Sequence, residues 1–337
     1  MSPRPITLLL PLCVAFCASC GSAPPENGPA LPGLEQLQAD VQGGSQTGPI
    51  VSSTGDPSID GRQDRSTDQR PAFSPRSDQA ARIGRLIVEC DQHLRAWNSA
   101  MAQARDPENQ ELVFYTTQAL GVLVAKNRDI LESQAVSGAA RNRAIACAAL
   151  GFSGDFNVTP LLLNGVSSGE PEVVSKALLG LGVLSDPNTS MAPIRGAVFA
   201  ADASDSTHSN AAFALFQIAI KNQRDPDGSM GAILEALLRS PLPTVRSQAA
   251  LSLGLIHANL SVPPITDLLA GDGVPDVRTA AAYALGQIGS TASTGPLVAA
   301  LRDPHELTAG AARAALVRIH GKDLGPDPDS WRTVMTQ

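Results

Sequence analysis

One leucine keeps returning along this chain. It stands at Leu120, Leu150, Leu181, Leu215, Leu253, Leu285 and Leu316, at intervals of 30 to 38 residues, and Gly follows it in five of the seven copies. A period of this size means one small unit of structure repeated, each copy too short to bury its apolar face except against its neighbours. The best-kept copies, residues 171–182, 243–254 and 275–286, each read as one amphipathic helix. A further apolar segment follows after a short break, marked by Pro160-Leu161, Pro193-Ile194, Ala232-Ile233, Pro264-Ile265 and Pro296-Leu297. Proline suits the first turn of a helix, where its missing N–H has no partner to lose. Two helices per period define the fold class. It is all-α, a right-handed α-solenoid of about six to seven helix pairs over residues 107–321.

Composition narrows how such an array can pack. Only 4% of residues are aromatic while 43% are apolar, so small aliphatic side chains must fill the interior. Glycine inside a helix costs roughly 1 kcal/mol against alanine. Its recurrence at Gly121, Gly151, Gly182, Gly254 and Gly286 therefore implies close approach between helices.

The copy Asp276-Val277-Arg278 with Ala280-Ala281-Ala282-Tyr283-Ala284-Leu285-Gly286 resembles the HEAT repeats of the phycobilisome-lyase class. Pro243-Thr244-Val245-Arg246 keeps the arginine, whereas Phe216 and Val317 replace the glycine in their copies. The resemblance covers about residues 109–321. It implies that Arg246 and Arg278 pair with acids of neighbouring repeats, and that the second helix of each pair lines the concave side. Counted from the Leu-Gly helix, those second helices fall at about 128–136, 159–167, 192–199, 229–238, 263–269 and 295–302. Charge is sparse on them. Arg195, Glu235, Asp267 and Arg302 are the candidate partner-binding residues. HEAT arrays carry many functions. The lyase likeness also permits an accessory that presents a prosthetic group to a client protein.

The chain begins with an address. Residues 1–19 carry one cation, Arg4, and an apolar run from Ile6 to Ala18, too short to span a bilayer and followed by small residues, which reads as a signal peptide. Cys17-Ala18-Ser19-Cys20 resembles the bacterial lipobox, which implies lipidation at Cys20, with simple secretion as the alternative. Residues 20–78 hold eight Gly, eight Pro and eight residues of the Leu/Ile/Val/Met/Phe set, the composition of a disordered tether. Residues 79–106 read as an N-terminal capping helix with Ile83, Leu86, Ile87, Cys90, Leu94 and Trp97 on one face. Residues 322–337 leave the repeat, and Trp331 is expected to fold back over the last helices.

Residue patterns for chemistry are thin. The five His form no His-Glu-x-x-His, and no Cys-His set has zinc spacing. Asp202-Ala203-Ser204-Asp205-Ser206-Thr207-His208 reads as a capping turn more readily than as a ligand cluster. Asp225-Pro226-Asp227-Gly228 lacks the glutamate of a calcium loop. Cys90 and Cys147 fall at apolar helical positions, as buried thiols do, although a disulfide between them is open. With 25 basic and 32 acidic residues the net charge is -7, which disfavours a nucleic-acid partner. The expectation is a lipid-anchored protein of the cell envelope, facing the periplasm or exterior, that binds a protein partner without a cofactor or metal and without catalysis.

Overall fold

The computed structural model describes residues 75–104 and 106–335. The expectations for the signal peptide, for Cys20 and for nearly all of the tether lie outside them. Among the described residues there are 14 α-helices and no strand. Helix α1 spans Pro75–Ala102, a few residues earlier than the first cap expected, and starts on a proline whose fixed φ suits that position.

Long helices then alternate with short ones. The long ones are α2 (Pro107–Ser137), α3 (Ala140–Leu150), α5 (Pro171–Leu184), α7 (Asp205–Lys221), α9 (Pro243–Leu255), α11 (Pro275–Ile288) and α13 (Glu306–His320). Between them stand α4 (Thr159–Val166), α6 (Met191–Val198), α8 (Ser229–Leu237), α10 (Val262–Gly271) and α12 (Thr294–Ala300), and α14 (Arg332–Met335) closes the series. From α3 to α13 each long helix packs on the next long helix, making a continuous layer, and the short helices lie along it. All seven period-marking leucines, Leu120 to Leu316, are fully buried in that layer.

The pairing of helices differs from the sequence expectation. The short helices α4, α8, α10 and α12 pack chiefly on the long helix that follows each of them, whereas α6 packs about equally on α4, α7 and α8. The hairpin is therefore short then long, and the Leu-Gly helix is its second member. Arg195, Glu235, Asp267 and Arg302 consequently belong to the first-helix layer, not to the second helices that the resemblance assigns to the concave side. The segment 128–136 is helical as expected: α2 is two helices that meet at a kink at Asn127, where φ is -130° and ψ 25°, and Asn127 Nδ2 donates to the Leu123 carbonyl at 3.0 Å.

Glycine does what its recurrence implied at four of its five places. A Cβ on Gly151 would lie 2.4 Å from the Gly180 carbonyl oxygen, and one on Gly254 or Gly286 within 3 Å of Ala284 or Ala315 backbone. On Gly182 it would enter the Phe213 ring, at 2.5 Å. Gly121 is the exception, with its nearest neighbour at 3.6 Å. Gly180, outside the repeating position, is as tight as any: its Cβ would meet the Cys147 carbonyl oxygen at 2.4 Å.

Both ends of the layer are covered by residues outside the repeat. On α1, Leu86, Ile87, Cys90, Leu94 and Trp97 are buried, and Trp97 donates to Thr117 Oγ1 at 3.0 Å. The Trp97 ring stands edge-on to Phe152 (5.5 Å between centroids) and to Phe213 (6.3 Å), so it reaches a residue of α7. At the other end Trp331 is fully buried, donates to the Gly325 carbonyl at 3.0 Å and leans on His320. No helix among the described residues is long and apolar enough to cross a membrane.

Candidate functional site

Six of the seven arginines on the long helices α2 to α13 form ion pairs, and Arg318 alone is exposed without one. Arg246 on α9 holds Asp272 with two hydrogen bonds of 2.7 and 2.9 Å, and Arg278 on α11 holds Asp303 in the same way. Each also ties down the loop before its own helix. Arg246 donates to the Ser240 and Pro241 carbonyls, and Arg278 to that of Asp272. Arg143 on α3 pairs with Glu170 likewise. Both acids of the bidentate pairs sit well out of water, which matters for their protonation. Burial alone would raise the Asp272 carboxyl, but the Arg246 hydrogen bonds and the Val274 N–H outweigh it and hold it below the ordinary carboxylate range. The Arg278 hydrogen bond does the same for Asp303 against its burial. These are bidentate, charge-assisted contacts between consecutive repeats, and their role is structural.

The short-helix layer is different. Arg195 on α6 is exposed, its guanidinium 5.9 Å from the centre of the Phe199 ring. Asp267 on α10 and Arg302 just after α12 are also exposed, and neither makes an ion pair. Glu235 on α8 accepts from Ser261 Oγ at 2.6 Å, so part of its task is to tie α8 to the turn before α10. Glu235 and Asp267 come together. They line one cleft of about 410 Å³ with Arg239, Pro264 and the Arg246–Asp272 pair. Arg195 and Arg302 lie elsewhere along the layer, on α6 and after α12, so the four residues form a line of separate positions and not one site.

A larger cavity, about 470 Å³, opens between α4, α6 and the starts of α5 and α7. Its lining is Val166, Pro171, Val174, Ala197 and their small neighbours, with one carboxylate, Asp202. Sequence reasoning weighed Asp202 only as a ligand of a metal turn. That turn is a helix cap: Ser204 Oγ accepts from Thr207 N at 3.1 Å and His208 Nε2 meets the Val198 carbonyl at 3.2 Å. The Asp225–Gly228 loop is likewise a cap. Asp225 accepts from the N–H groups of Met230 and Gly231, and Asp227 from Ser229. Cys90 and Cys147 are separate buried thiols, both pushed up to about 12 by burial.

Comparison with known proteins agrees with this architecture. Residues 231–317 match the family of HEAT repeats, and that stretch runs from within α8 to within α13, three short–long pairs. Those three pairs are the part of the array that matches HEAT repeats. Among solved structures the chain is similar to human deoxyhypusine hydroxylase in complex with glycerol, at 17% identity over 73% of this chain and 100% of that one, with a TM-score of 0.34. It is also similar to the complex of CpcE and CpcF of phycocyanin lyase from Nostoc sp. PCC7120, at 19% identity over 67% of this chain and 88% of that one, with a TM-score of 0.35. No curated protein matches it.

Proposed function

We propose that this protein is a HEAT-repeat scaffold of the cell envelope, anchored through a lipid on Cys20, which binds a protein partner along its short-helix layer and performs no chemistry itself. One contrast carries the binding reading. Arg143, Arg246 and Arg278 on the long helices are engaged in pairs that tie repeat to repeat, whereas Arg195, Asp267 and Arg302 are exposed and make no such pair. Exposed charges left over by the fold suit a polypeptide surface. The anchoring reading rests on the sequence, where a short apolar run ends in Ala18-Ser19-Cys20. Several acyl chains at one cysteine would hold it firmly, at about 0.8 kcal/mol per buried methylene.

The test combines fractionation with capture. Cys20→Ser should move the chain from membrane to soluble fraction. Arg195→Glu and Arg302→Glu should weaken recovery of one envelope protein while leaving the helical circular dichroism spectrum and melting temperature unchanged. If an absorbing small molecule co-purifies and no protein does, the scaffold reading gives way to the prosthetic-group accessory.

A further inference from the structure

The ion pairs between repeats follow a regular offset, and one repeat keeps the acid of such a pair without the arginine. Arg143 meets Glu170, Arg246 meets Asp272 and Arg278 meets Asp303, across 27, 26 and 25 residues. In each case the arginine lies near the start of a long helix, and the acid lies in the loop leading to the next long helix. On α5 the corresponding residue is Val174, as Pro171-Glu172-Val173-Val174 set beside Pro275-Asp276-Val277-Arg278 makes plain. The acid is still there. Asp202 lies 28 residues on, three positions before α7 begins, as Asp303 lies three before α13. Unlike Glu170, Asp272 and Asp303, Asp202 makes no hydrogen bond or ion pair in the structure.

At this repeat the unpaired acid stands beside a cavity. Val174 and Asp202 both line the 470 Å³ cavity. The matching cleft two repeats on is lined by Arg246 and Asp272 themselves. The walls at the gap are apolar, from Val166, Pro171, Val174 and Ala197, and the single carboxylate stands at an exposed rim.

We propose that this cavity receives an arginine side chain of the partner protein, with its guanidinium on Asp202 in the place that Arg246 and Arg278 fill from within at their own repeats. The proposal rests on the scaffold reading and names the chemistry of the partner's anchor. An arginine fits for two reasons. Its methylene stem buries along apolar walls while its planar head stays at the rim, and that head matches a carboxylate with two parallel hydrogen bonds, which a lysine ammonium does not. The net charge of -7 also favours a cationic partner on approach.

The probe is acetyl-arginine N-methylamide, with the neutral citrulline and the lysine analogues as comparisons, titrated by NMR into the full chain carrying Cys20→Ser. The wild-type cavity should bind the arginine amide in the millimolar range, at least tenfold more tightly than either analogue. Val174→Arg, which supplies the missing guanidinium from within, and Asp202→Asn, which removes the exposed charge at no cost to packing, should each lose at least tenfold, while Asp272→Asn should change nothing. Equal binding of citrulline or lysine, or full binding by Asp202→Asn, overturns the proposal. In cells, Asp202→Asn should weaken capture of the envelope protein. Capture that persists undiminished, with no arginine binding, refutes the cavity's role and leaves the scaffold standing; the absence of any captured protein refutes the scaffold, and with it a partner's arginine.

Discussion

Gly180→Ala should unfold this protein more easily, although alanine is the better helix former. The substitution gains roughly 1 kcal/mol of intrinsic helix propensity. Against that, the new Cβ would sit 2.4 Å from the Cys147 carbonyl oxygen and 3.3 Å from its carbon, with Gly151 pressed on Gly180 from the same side. Ordinary contact begins about 1 Å further out, and the obstructing atoms are helix backbone, which no rotamer change can clear. Helices α3 and α5 must separate along their length or bend. Overpacking of this kind costs about 1–3 kcal/mol and occasionally more, and a backbone clash belongs at the upper end. The net loss should be about 2 kcal/mol, a drop of roughly 4–8 °C in melting temperature for a folded unit of this size. Gly310→Ala is the control. Gly310 lies within α13, exposed, with nothing within 4 Å of where its Cβ would stand. There the same change should raise the melting temperature by a few degrees. Thermal unfolding followed by circular dichroism, on chains carrying Cys20→Ser, reads both. If Gly180→Ala melts at or above the wild type, the close packing of α3 on α5 is not what the glycine serves.

Four further outcomes follow from named contacts. Arg278→Ala should cost about 2–3 kcal/mol, because it leaves the Asp303 carboxylate, 10% exposed, without its bidentate partner; urea unfolding measures this. Asp272 and Asp303 titrate below the ordinary range when folded, so their contribution is complete above the unfolded value of about 3.9 and fades as pH falls through the folded values; the urea midpoint should drop steeply below about pH 4, and less steeply in Arg278→Ala. Cys90 and Cys147, with thiols pushed to about 12, should resist a thiol-alkylating reagent at pH 8 in the folded protein and react at once in urea, as mass spectrometry would register. Trp331→Ala should remove about 3–5 kcal/mol, because it empties a fully buried site and frees the Gly325 carbonyl, while leaving partner capture unchanged.

Much of the fold was legible because the repeat states its own rule seven times. A leucine that returns with a Gly beside it marks a buried helix seam, and every one of the seven leucines is fully buried. Proline at the first position of α5, α9 and α11 marks where those helices start. The phase of the pairing was not legible. A periodic chain has no internal origin, and long–short pairs predict the same hydrophobic pattern as short–long pairs; only the contact of α4 with α5, and its counterparts, decides. Gly180 was passed over because it lies off the repeating position, although Leu179-Gly180-Leu181-Gly182 places two glycines one apart on a helix whose faces are both packed. Sequence expected Arg246 and Arg278 to find acids in neighbouring repeats but could not name Asp272 and Asp303, since the acids lie in loops whose length varies. Asp202 became visible only through its missing partner. Once three pairs are seen at offsets of 25 to 27 residues, Val174 stands out because the acid at its offset is still present.

The central claim is that an envelope-anchored array holds a protein along its short-helix layer, and site-specific photo-crosslinking in living cells addresses it most directly. A photoreactive residue at position 267, on the exposed side of α10, should give one discrete adduct in the membrane fraction, and the Cys20→Ser chain should lose that location. The same residue at position 283, on the long helix α11, should give none. Adducts at position 283 alone, or a wild-type chain found only in the cytoplasm, would contradict the account.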